Sequence, residues 1–134
     1  MRVFLLPLLL LLAVAVPPPA GAATPKKDTT YRATVLDEPT GTKVKVTIRI
    51  GSSTRKIEKL VVTLSCAEGK QKLVRRNIPI ENNGQFVKYL PDYVNPTTAV
   101  SGQFVSKHKV DSGYVYGDDS QPCGGHPFSF VAKD

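Results

Sequence analysis

Four residues in this chain could bind a metal tightly or attack a substrate: Cys66, His108, Cys123 and His126, which are all the cysteines and histidines it has. In number they make a Cys₂His₂ set, and Cys123-Gly-Gly-His126 has a plausible local spacing for tetrahedral zinc. Cys66 and His108 supply no second close pair. A thiol nucleophile would need a free cysteine of lowered pKa beside a base. The competing chemistry is oxidation, because two cysteines allow a single intramolecular pairing, Cys66–Cys123. Asp118-Asp119, with Asp111, could begin a calcium loop, but EF-type spacing is missing and a solvated turn is the commoner use. A Ser-His-Asp set can be drawn from either histidine, yet no GxSxG elbow supports it. Nucleotide-binding loops and a well-placed carboxylate pair are also absent from the sequence.

The compartment separates oxidation from metal binding. The chain opens MRVFLLPLLLLLAVAVPPPAGAA. Arg2 gives a positive start, Val3 to Val16 is apolar apart from Pro7, and Ala20-Gly21-Ala22 fits a small-x-small cleavage pattern. These features predict a secretory signal peptide over residues 1–22, cleaved after Ala22. The apolar run is shorter than the roughly 20 residues of a spanning helix, so no membrane anchor is expected after cleavage. Export leads to oxidising surroundings, where paired thiols persist. A Cys66–Cys123 disulfide is therefore expected, with no metal and no cofactor. Closing that loop contributes roughly 4 kcal/mol in the chain-entropy model, and Gly124-Gly125 would let the chain turn sharply off Cys123.

The residues that position these cysteines read as strands. In TKVKVTIRI, residues 42–50, Val44, Val46, Ile48 and Ile50 alternate with Lys43, Lys45, Thr47 and Arg49. Period-two alternation marks a half-buried strand. IEKLVVTLSC, 57–66, places Leu60, Val62, Leu64 and Cys66 on one face. In KLVRRNIPI, 72–80, Val74, Ile78 and Ile80 are the expected inward set. Asn83-Gly84 signals a hairpin, with GQFVKYL as the return strand. LPDYVNPTT, 90–98, reads as a long connection. AVSGQFVSKHKV, 99–110, is expected as one strand, DSG at 111–113 as a turn, then YVY as a short strand and PFSFVA, 127–132, as the last. With a strand at 31–36 the total is about eight, with no helix-period segment of useful length. This pattern predicts an all-β antiparallel β-sandwich over residues 31–134, after a flexible leader at 23–30. The segment Gly-Gln-Phe occurs at 84–86 and again at 102–104, too short a unit for a repeat architecture.

The whole chain carries 18 basic and 11 acidic residues. Removal of Arg2 with the leader leaves 17 against 11, a net charge of +6. Lys43, Lys45 and Arg49 fall on the outward face of one strand, and Lys70, Lys72, Arg75 and Arg76 cluster in the next hairpin. If those strands are neighbours, a cationic face results, with polyanion attachment as its candidate use. Aromatic residues are missing from both stretches, which argues against a single-strand nucleic-acid reader. A solvated, aggregation-resisting outer face is the structural alternative.

An inward strand ending in Cys66, paired G-x-F segments, Gly113-Tyr-Val-Tyr116, Cys123 and a final strand with Phe128, Phe130 and Ala132 resemble small secreted bacterial β-sandwich proteins of unknown function, over about residues 42–132. The resemblance implies an immunoglobulin-like sandwich with one disulfide. The chain departs from true immunoglobulin domains in having no Trp, and Gln121 stands where a tyrosine corner would need Tyr. The expectation is a secreted, non-enzymatic module that binds an extracellular protein or an anionic cell-surface polymer, with no specific nucleic-acid partner. An inhibitor or effector acting through exposed loops such as 90–98 is the alternative, and an exported metal-dependent hydrolase a weaker one. Oligomeric state is not legible.

Overall fold

The structure is a computed structural model that describes residues 23–89, 99–117 and 121–134. The expected signal peptide, the 90–98 connection and Asp118-Asp119 lie outside the described residues. Eight strands follow one another: β1 (Thr29–Asp37), β2 (Thr42–Ile50), β3 (Lys56–Cys66), β4 (Gly69–Pro79), β5 (Gln85–Tyr89), β6 (Ala99–Ser106), β7 (Lys109–Tyr116) and β8 (Pro127–Lys133). All pairings are antiparallel. The sheet order is β4-β3-β2-β1-β8-β7-β6-β5, one sheet nearly closed into a barrel.

That order comprises two four-strand meanders, β1–β4 and β5–β8. Their joint is slender, with Arg32 and Lys133 as the only Cα partners between β1 and β8. An immunoglobulin constant-type domain instead interleaves its strands as ABED and CFG. The apolar faces of both meanders converge on one core, where Tyr31, Val44, Ile48, Leu60, Leu64, Phe86, Phe104 and Val115 are fully or almost fully buried. Each such aliphatic or aromatic side chain contributes about 1.5–3 kcal/mol by leaving water.

Several local expectations are corrected. The span 99–110 is two strands, turning at Lys107-His108, where Ser106 Oγ accepts from the His108 amide at 3.1 Å. Asp111-Ser112-Gly113, expected as the turn, is instead a bulge inside β7. The register shifts between Val110 and Gly113, Ser112 takes φ 51°, and its amide donates to Asp111 Oδ1. Gly113 is required there because a Cβ would lie 2.5 Å from the Phe130 ring.

The ENNG segment does turn, with Gly84 at φ 82°, but it joins no hairpin: β4 and β5 are the two end strands of the order. The Gly84 carbonyl accepts from the Phe104 amide, so this turn serves β6. The two Gly-Gln-Phe segments consequently meet. Gln85 pairs with Gln103, and Phe86 pairs with Gly102 and packs over it. The Phe86 and Phe104 rings lie 5.8 Å apart in the core.

A further correction concerns β4. Gln71, Leu73 and Ile78 are its buried residues, while Val74 has outward parity; of the expected inward set, Ile78 is buried and Ile80 packs against the core. Asn77 at φ 55° breaks the alternation. Asn tolerates this left-handed conformation because its short polar side chain can hydrogen-bond locally. The segment read as a leader packs against the sheet end. Pro25 is buried, the Lys26 amide donates to Tyr31 Oη at 2.9 Å, and the Asp28 amide donates to the Gly51 carbonyl.

Candidate functional site

The disulfide decides what chemistry the cysteines can do. Cys66 closes β3 on the inward parity of Leu60, Val62 and Leu64. Cys123 is buried, and their sulfurs are bonded, with Cα atoms 5.7 Å apart. Cys123 itself takes φ 65° and Gly125 φ 81°, and the Gly125 amide donates to the Gly117 carbonyl. The sharp turn into β8 therefore uses the cysteine as well as the glycine. Bonded sulfurs offer no thiolate to a metal or a substrate.

The histidines lie at opposite ends of β8. His126 precedes the strand beside Cys66 and Cys123. His108 sits in the β6–β7 turn, with Nδ1 2.8 Å from Asp134 Oδ2 past the far end. Eight residues of extended chain span about 26 Å, so the two rings cannot share one ion. The expected Cys₂His₂ alternative is thus not assembled. Among the described residues no group of three or more His, Cys, Asp or Glu is placed to hold a metal.

The cations do come together. Along β2, Lys43, Lys45, Thr47 and Arg49 face outward, since Val44, Val46, Ile48 and Ile50 fill the core. Pairing with β3 sets Lys43 opposite Ser65, Lys45 opposite Thr63, Thr47 opposite Val61 and Arg49 opposite Lys59. Pairing of β3 with β4 continues each row to Lys70, Lys72, Val74 and Arg76. On the other side, β1 adds Arg32 opposite Thr47. Lys43, Lys45, Arg49, Lys70, Lys72 and Arg76 are all exposed.

One expected member departs. Arg75 pairs with Leu60 on the inward parity, is half-buried, and donates from Nη1 to the Val74 carbonyl at 2.6 Å. Two members were missed, Arg32 and Lys59. Both follow from extending the period-two pattern across β1 and β3, and neither stands in a run of basic residues. The single described ion pair on this face joins Arg49 Nε to Glu58 Oε2 at 3.2 Å, with both side chains half-exposed. A pair this open is worth little and leaves the face positive.

The outer face of β5–β8 is different. Its outward residues include Ser101, Gln103, Tyr114, Ser129 and Val131, and an open cleft of about 530 Å³ runs beside Tyr114, Val131 and Val35. A lesser basic cluster, Lys26, Lys27, Lys107 and His108, rims a hollow at the sheet end. Beneath it the Tyr31 hydroxyl donates to the Lys107 carbonyl, and burial pushes its pKa up from the ordinary value near 10.

No protein-family model, curated protein sequence or solved structure matches the chain.

Proposed function

We propose that this is a secreted, non-enzymatic binding module that attaches to anionic polymer at the cell exterior through the outer face of β1–β4. The observation that carries this reading is the register. Three cross-strand rows of β2, β3 and β4 are each flanked by cations: Lys43 with Lys70, Lys45 with Lys72, and Arg49 with Arg76. A low-dielectric sheet beneath aligned like charges focuses a positive potential outward. In the Arg49–Lys59–Arg76 row like charges stand directly opposite one another, which opposes sheet pairing rather than assists it. Their alignment is therefore better explained by a partner than by stability. The leader sequence supports export, and the two meanders with their single bridging pair support a two-layer, sandwich-like reading of the sheet.

A second reading rests on the nearly neutral β5–β8 face. Tyr114 and Val131 are more than a third exposed there and flank the open cleft, as a protein-contacting surface would require.

The two readings separate by salt. Immobilised polyanion is expected to retain the protein at about 20 mM salt and release it as screening shortens to about 8 Å near 0.15 M and below that at higher salt. Passage through the polyanion column unretarded at 20 mM would overturn the first reading. Association that survives 1 M salt would favour the second.

A further inference from the structure

Resting on the polyanion reading, we infer that the ligand is a linear phosphodiester polymer of small polyols, seated lengthwise along β3. The outer face of β2–β4 is a trough rather than a flat cationic patch. β2 presents Lys43, Lys45, Thr47 and Arg49, and β4 presents Lys70, Lys72, Val74 and Arg76. The two series have the same order, basic-basic-neutral-basic, and lie in register across β3. Between them β3 raises only Ser65, Thr63 and Val61 before Lys59 closes the trough. Two strand spacings put the rails about 10 Å apart, and two residues of strand separate successive cations by about 7 Å.

Three features of that trough select the ligand. First, its period fits a phosphate at every sixth backbone bond. Three bonds of extended chain advance roughly 3.5 Å, so six advance about 7 Å. Second, a phosphodiester carries two non-bridging oxygens directed to opposite sides of its chain. Three of the four rows offer one cation from each side, whereas a sulfate ester or uronate on a sugar ring projects to one side only. Third, the floor bears hydroxyls and no aromatic ring. Bases of a single-stranded nucleic acid would have nothing to stack on, and a bilayer would find only the half-buried Val61 and Val74 and one exposed large apolar side chain, Leu36, at the corner beside Lys43.

The test measures affinity for poly(glycerol phosphate), oligo-dT, a sulfated glycan and poly-glutamate at equal charge concentration, using the secreted protein and its Thr63→Trp variant. Trp at 63 fills the trough between Lys45 and Lys72 without removing a charge, and Ser65→Trp repeats the block one row away should the first variant fail to fold. Poly(glycerol phosphate) is expected to bind at least tenfold more tightly than the other three, and each Trp to abolish that preference. Equal affinity for all four polymers, or a preference untouched by both Trp variants, overturns the trough while leaving a diffuse polyanion-binding face. Tightest binding to oligo-dT or to the glycan overturns it in favour of that class. No binding to any of the four overturns the polyanion reading as well.

Discussion

At the scale of single residues, the bond between Cys66 and Cys123 fixes what the chain's four chemically versatile side chains can do. It ties the end of β3 to the turn before β8, across a sequence separation of 57. Replacing both cysteines by Ala is expected to lower unfolding free energy by roughly 2–5 kcal/mol, read by denaturant titration against the oxidised protein. Unchanged stability would mean that the bridge constrains nothing the core does not already hold. Tyr31 makes a second residue-scale prediction. Its hydroxyl is held between the Lys26 amide and the Lys107 carbonyl. Because burial raises its folded pKa above the unfolded value, its contribution is complete below pH 10 and is lost as pH rises through the folded pKa. Tyr31→Phe is expected to cost about 1 kcal/mol at neutral pH. Denaturant titrations of both proteins should converge as pH climbs above 10, and a gap that stays constant would show that the hydroxyl is not the titrating group.

At the scale of elements, the strands with uninterrupted alternation were legible. β2 matches its predicted bounds, 42–50, because nothing in TKVKVTIRI breaks the pleat. The cysteine pairing was legible too, from the count of two and the expectation of export. What was not legible are the places where one residue shifts the phase. Asn77 at φ 55° shifts the phase of β4, so that Leu73 and Arg75, not Val74, take the inward side ahead of it while Ile78 is inward as expected. Ser112 bulges a strand where Asp-Ser-Gly signalled a turn. Asn-Gly at 83–84 predicted a hairpin that Phe104 captures for β6 instead. Each signal was a true local preference for positive φ, but whether it made a turn or a bulge was decided by pairing with distant strands. Asn77→Gly should therefore leave stability within about 0.5 kcal/mol, whereas Asn77→Val should lose about 1–2 kcal/mol, since β-branched residues are strained at that φ. Thermal unfolding of the two variants compares them directly, and equal melting temperatures would show that β4 tolerates either phase.

At the scale of the whole molecule, the chain is a two-faced sheet. Two meanders share a core and a slender joint, and they divide the surface into a basic side over β1–β4 and a nearly neutral side over β5–β8. Net charge announced that something was basic, but only register separates a rail from a scatter of lysines. Arg32 and Lys59 illustrate the point, since each joins the face only through the strand beside it. The most direct test compares two variants of equal net charge. One carries Lys43, Lys45, Lys70 and Lys72 changed to Gln; the other carries Lys26, Lys27, Lys107 and Lys109 changed to Gln, none of them on β1–β4 or paired with it. The measurement is the dependence of polyanion affinity on salt. With six rail cations engaged, the unaltered protein should show a log–log slope of about −4, by analogy with single-stranded polyanions. The second variant should keep that slope and the first should lose most of it. Equal losses in both would mean that net charge alone attracts polyanions, and that the aligned cations of β2 and β4 form no site.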